Sequence, residues 1–69
     1  MDKDLFEYKM KQKGYKTPQM RADALGLKLS AYYRRVGNEV ECTLSEISKV
    51  AGLLGWEVTH QIFFAGEVS

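Results

Sequence analysis

Apolar side chains recur along this chain in short bursts at helical spacing, and each burst is closed by a glycine. Phe6 and Met10 stand four apart with Leu5 beside them, which predicts an amphipathic helix over Asp4 to Lys13. Its ends agree with the helix dipole: Asp2 and Asp4 lie at the start, Lys9, Lys11 and Lys13 at the end, and Gly14 supplies a left-handed stop. Thr17-Pro18 marks the next start, because a threonine oxygen can accept from free backbone donors and proline fills a position that needs no donor. This second helix runs to about Leu25, where Gly26 interrupts it. The apolar pattern restarts at Leu27 and continues through Leu29, Tyr32, Tyr33 and Val36, predicting a third helix that Gly37-Asn38 ends.

Thr43-Leu44-Ser45-Glu46 reads as a capping box, in which hydroxyl and carboxylate each satisfy an orphan donor at a helix start. Behind it Leu44, Ile47, Val50, Ala51 and Leu54 form one apolar stripe, and Gly55 stops the helix. The segment from Trp56 to Phe64 fits two periods: Trp56, Val58, Ile62 and Phe64 alternate as in a strand, while Val58, Ile62 and Phe63 fit a helix. A short helix is the favoured reading. The expected core is then Phe6, Met10, Leu25, Leu27, Tyr32, Ile47, Val50, Leu54 and Trp56, in an all-α bundle of four to five short helices.

Length narrows the function. Sixty-nine residues make one domain, taken here as 1–69, and so short a chain buries only about 60% of its unfolded surface, which disfavours an enzyme with a deep pocket. Hydrophobic content of 45% with 28% charged residues is that of a chain that folds. No apolar run approaches the roughly 18 residues of a membrane span, and Met1-Asp2-Lys3-Asp4 is unlike a secretory signal, so the expectation is a soluble cytoplasmic protein. The single cysteine, Cys42, excludes an internal disulfide, and with His60 as the single histidine no four-ligand zinc site can be assembled. Neither metal nor cofactor is expected. Cys42 reads as a small buried hydrophobe and His60 as a surface residue.

Charge changes the picture more. The net charge of +1 divides into nine basic against four acidic groups over residues 1–38, and one basic against five acidic over 39–69. Such a split suggests one face built for an anionic partner, although a chance spread of solvated charges gives the same count. Two short helices separated by a glycine turn in the basic half fit a helix-turn-helix, whose second helix enters the DNA major groove. Ala22 is the small residue at the close approach, and Gly26 permits the turn. An ordinary helical hairpin has the same pattern.

The run from Lys13-Gly14-Tyr15 through Thr17, Ala22 and Leu25-Gly26-Leu27, on through Tyr32 and Arg34 to Thr43-Leu44-Ser45-Glu46-Ile47, Leu54-Gly55 and Ile62-Phe63-Phe64, resembles the Cro/repressor-type helix-turn-helix proteins. These are also called the XRE or lambda-repressor-like family, and the likeness is to small regulators of phages and mobile elements. The resemblance implies a lambda-repressor-like bundle, operator binding to double-stranded DNA, usually as a dimer, in the cytoplasm of a bacterial cell or phage-infected host, and no catalytic activity or metal. Three positions depart from the family pattern. Arg21 replaces an apolar residue, which with Met20 adjacent implies a slightly rotated second helix. Lys28 replaces the usual capping serine or threonine. Arg35 replaces an apolar residue, with Val36 as its substitute.

Carried over by position, the resemblance makes Lys28, Ser30, Tyr33 and Arg34 the base readers, opposite an inward stripe of Leu29, Tyr32 and Val36. Arg34 or Lys28 can donate to guanine, Ser30 can pair either way, and Tyr33 can pack on a thymine methyl or reach a phosphate. Tyr33 also fits a half-buried core aromatic. Lys16, Thr17, Gln19, Arg35 and Asn38 surround the two helix ends, where phosphates can be held. For Arg35 and Asn38 a solvated charge and a turn former are competing readings. Lys9, Lys11 and Lys13 add diffuse attraction or merely match the dipole. Ile62, Phe63 and Phe64 with Trp56 close the core or form a homodimer contact. Sequence-specific transcriptional regulation is the leading function. A protein-interaction module on the same fold, such as an antirepressor or adaptor, is the alternative.

Overall fold

In the computed structural model, which describes residues 1–64, the Asp2 carboxylate caps the first helix by accepting from the Leu5 N–H at 3.1 Å. This helix, α1, spans Lys3–Gln12 and buries Phe6 and Met10. The Thr17 hydroxyl accepts from Met20 N–H at 3.2 Å and opens α2, Pro18–Leu25, with Pro18 in the first turn. Helix α3, Leu29–Val36, starts at Lys28 without a side-chain cap, as the missing serine or threonine there implied. Helix α4, Leu44–Leu54, opens on the expected capping box: Thr43 Oγ1 accepts from Glu46 N–H at 3.2 Å while the Glu46 carboxylate accepts from Thr43 N–H at 2.9 Å. Gly55 ends it at φ 88, and α5 follows as Trp56–Phe64, which decides the ambiguous segment in favour of a helix. Five helices and no strand are found among the described residues. The final stretch of the domain read over 1–69, residues 65–69, lies outside them.

Helix α2 packs on α3 and α4, α4 packs on α5, and α5 returns to α1. The core draws on every helix: Phe6 and Met10, Ala22 and Leu25, Tyr32 and Val36, Val50, and Ile62. Of the others expected in the core, Leu27 and Leu54 are half-buried against it, and Ile47 is half-buried in the lining of a groove.

Three expectations are corrected. Trp56 is 65% exposed: Thr59 and Ile62 centre the inward arc of α5, and its first residue falls beyond that arc. The buried Thr59 hydroxyl is satisfied by the Gly55 carbonyl at 2.8 Å. Leu44 is 82% exposed, since the first turn of α4 extends past the elements that cover the rest of its stripe. The implied rotation of α2 does not occur, because Arg21 is buried at 2% exposure while Met20 stays at the surface. A buried arginine on the inner face also explains why α2 looks barely amphipathic in sequence.

Candidate functional site

Gly26 ends α2 in the left-handed region at φ 70, which favours glycine, and its three-residue turn, 26–28, joins α2 to α3. Leu27 N–H donates to the Ala22 carbonyl at 2.9 Å, and Lys49 of α4 donates from Nζ to the Leu25 carbonyl at 3.3 Å. The Ala22 and Leu25 carbonyls at the end of α2 are thereby satisfied, and the turn is pinned from α4. Ala22 is fully buried where α2 meets its neighbours.

At about 100° per residue, the buried Tyr32 and Val36 and the half-buried Leu29 share one arc of α3. Ser30 and Arg34 lie on the outward side, Tyr33 lies at its edge beside Leu29, and all three are exposed, with exposed Lys28 leading into the helix. Tyr33 is 53% exposed and not a core aromatic; its ring meets that of Tyr32 edge-on, 5.7 Å between centroids at 61°. Among the described residues none of these four side chains makes a hydrogen bond or an ion pair within the fold.

The other five expected contact residues are differently placed. Lys16 is exposed at the entrance to α2. Thr17 spends its oxygen on the α2 cap, and Gln19 donates to Asp23 at 2.8 Å, which holds the one acidic side chain of α2. Asn38 takes a left-handed φ of 61 after α3, and its Oδ1 accepts from the Met1 amino group, so it is a turn former with an internal partner. Arg35 faces α4, where Nε and Nη2 donate to the two Glu46 oxygens at 3.0 and 3.3 Å. Its guanidinium is engaged inside the fold, on the side of α3 away from Ser30, Tyr33 and Arg34.

Glu46 thus serves two elements, capping α4 and holding α3. Burial pulls its carboxyl upward, but the hydrogen bonds from Arg35 and Thr43 outweigh it and hold the group below its ordinary value of 4.5. A folded value below the unfolded one contributes stability above pH 4.5, lost as pH falls through the depressed value. Urea unfolding of Glu46→Gln and parent along a pH series should show a gap that is widest near neutral pH and narrows in acid. A gap independent of pH would mean that the ionised carboxylate is not what stabilises this corner.

A second buried ion pair escaped the sequence reading. Arg21 Nε donates to the Tyr32 hydroxyl at 2.7 Å, Nη1 to the Tyr15 carbonyl at 3.1 Å, and Nη2 to Glu7 at 3.4 Å. Burial pushes the Tyr32 phenol above its ordinary 10.0, with Arg21 opposing, so it stays protonated at neutral pH. The signal was present: Arg21 and Arg35 are the two cations that break the apolar pattern, and each has a carboxylate partner on another helix.

A groove of about 320 Å³ opens beside Arg35 and Asn38 and is lined also by Val40, Cys42, Ile47, Phe63 and Phe64. Ile62 is buried in the core and unavailable to a partner, whereas Phe63 and Phe64 are half-buried. Burial pushes the half-buried Cys42 thiol above its ordinary 9.0, which keeps it in the unreactive thiol form. Among the described residues no three potential metal ligands cluster, and no helix is long and apolar enough to cross a membrane. No family model, curated protein or solved structure matches the chain.

Proposed function

We propose that the protein is a sequence-specific DNA-binding regulator of the helix-turn-helix kind, with α3 as the helix that enters the major groove. One observation carries this reading: α3 is anchored through Tyr32 and Val36 while its remaining surface, Ser30, Tyr33 and Arg34 behind Lys28, is exposed and unengaged among the described residues. Hydroxyl, phenol, guanidinium and ammonium together supply donors, acceptors and an apolar ring, which is what reading base edges requires. Lys16 and the α2 start are suited to hold phosphate beside it. Between Gly14 and Gly37 Asp23 is the only acid, against exposed Lys16, Lys28 and Arg34, so this stretch carries a net positive charge. Arg35, Thr17 and Asn38, taken up internally, are left out of the proposed contacts.

Titrations at several salt concentrations test the assignment. Arg34→Ala should weaken binding to a preferred duplex by about 1–3 kcal/mol and affect unrelated duplex much less, because a bidentate base contact exists only on the right sequence. Lys16→Ala should weaken both duplexes alike and reduce the salt slope by about one unit. Equal loss on both duplexes for Arg34→Ala would move Arg34 to the backbone and leave Ser30, Tyr33 or Lys28 as reader.

The groove at Phe63 and Phe64, lined also by Cys42 two positions before exposed Leu44, favours as a second reading a protein-interaction module such as an antirepressor or adaptor. Ionic strength separates the two, since phosphate contacts weaken steeply with salt and an apolar interface does not.

A further inference from the structure

We infer that Arg21 is a positioning residue for the exposed face of α3, acting through Tyr32 on Tyr33. The geometry stands by itself; its consequence for recognition rests on the DNA-binding reading above. Helix α3 has eight residues and no side-chain cap at Lys28, so it is too short to persist alone and its roll angle is set by what holds it. Apolar contacts are non-directional and define depth better than rotation. Two directional contacts remain: Arg35 on the two Glu46 oxygens, on the side toward α4, and the Tyr32 hydroxyl, 2.7 Å from Arg21 Nε, the one that lies against the Tyr33 side of the helix.

The guanidinium cannot simply follow Tyr32 if α3 turns. Tyr15 and Glu7 fix it at two further points, one in the loop before α2 and one on α1, and its planar fork holds all three directions at once. Rolling α3 would pull the phenol off this fork and leave a buried hydroxyl without its partner. The Tyr32 ring lies edge-on to the Tyr33 ring at 5.7 Å, so the contact that fixes one ring also orients the other, on the face that carries Arg34. A buried arginine here does what an apolar residue of similar size cannot: it gives the helix an angle.

The test uses Tyr32→Phe, which removes one oxygen and keeps the ring, beside Arg21→Met. Amide spectra of the free proteins are compared, and each is titrated with a duplex selected from a random pool and with a scrambled duplex. In Tyr32→Phe the Tyr33 and Arg34 signals should shift while those of the α4 cap stay, and preference for the selected duplex should fall about tenfold with scrambled binding unchanged. In a Tyr33→Ala background the same substitution should cost less of the preference, because only Ser30 and Arg34 are then left to be displaced. A Tyr32→Phe protein that melts lower yet keeps the parent α3 signals and preference would overturn the proposal, leaving Arg21 only a stabilising role; if Arg21→Met does not fold, Tyr32→Phe decides alone. Shifted Tyr33 and Arg34 signals in a protein whose parent prefers no duplex would sink the DNA reading and leave the positioning of α3 standing.

Discussion

Replacing Glu7 with Ala should destabilise the protein by about 2–3 kcal/mol at neutral pH, more than any exposed carboxylate. The reason lies in the partner left behind: the Arg21 side chain is 3% exposed and keeps the Tyr32 and Tyr15 oxygens but loses the one anion that pairs with it among the described residues. Stranding a fully buried charge this way costs about 3–5 kcal/mol, and the expected figure is lower because Glu7 is itself 26% exposed and screened by water. Glu39→Ala, at an exposed loop position, is the control and should stay within about 0.5 kcal/mol of the parent. Urea unfolding checks both. Equal midpoints for the two variants would mean that the Arg21–Glu7 pair contributes nothing to the fold.

Ala22→Leu should combine a stability loss of about 1–3 kcal/mol with weakened binding to DNA. Ala22 is fully buried in the core cluster, and its carbonyl anchors Leu27 across the turn. Three added carbons have no space there, so α3 must move relative to α2, and the Lys28, Ser30, Tyr33 and Arg34 surface moves with it. A variant that melted and bound as the parent does would place the close approach of these helices elsewhere.

The elements were legible because their ends carry local chemistry. Asp2, Thr17 and the Thr43–Glu46 box sit at helix starts, and Gly26 and Gly55 at stops, all readable within a few residues of sequence. The inner stripe of α3 was legible for the same reason, since Tyr32 and Val36 repeat with the helix. What periodicity could not show is where an element outruns its neighbours, so Leu44, on the apolar stripe of α4, and Trp56, expected in the core, are exposed. Nor could it show that a cation on an apolar stripe is kept inside by a carboxylate from another helix. Arg21 and Arg35 each needed a partner more than ten positions away, Glu7 and Glu46, and such pairings arise only when the helices are packed. On the candidate face, exposure of Ser30 and Arg34 followed from the inward stripe, whereas Tyr33, beside Leu29, fitted either side until the packing decided it. The internal engagement of Arg35 and Asn38 did not.

The reading of α3 as a DNA-contacting helix is tested most directly by selecting duplexes from a random pool with the purified protein, sequencing those retained, and titrating the result across salt concentrations. The account predicts one enriched motif, palindromic if two copies bind together, with affinity that falls steeply as salt rises and a preference that Arg34→Ala erodes. Recovery of no motif, with whatever binding remains indifferent to salt, would contradict it.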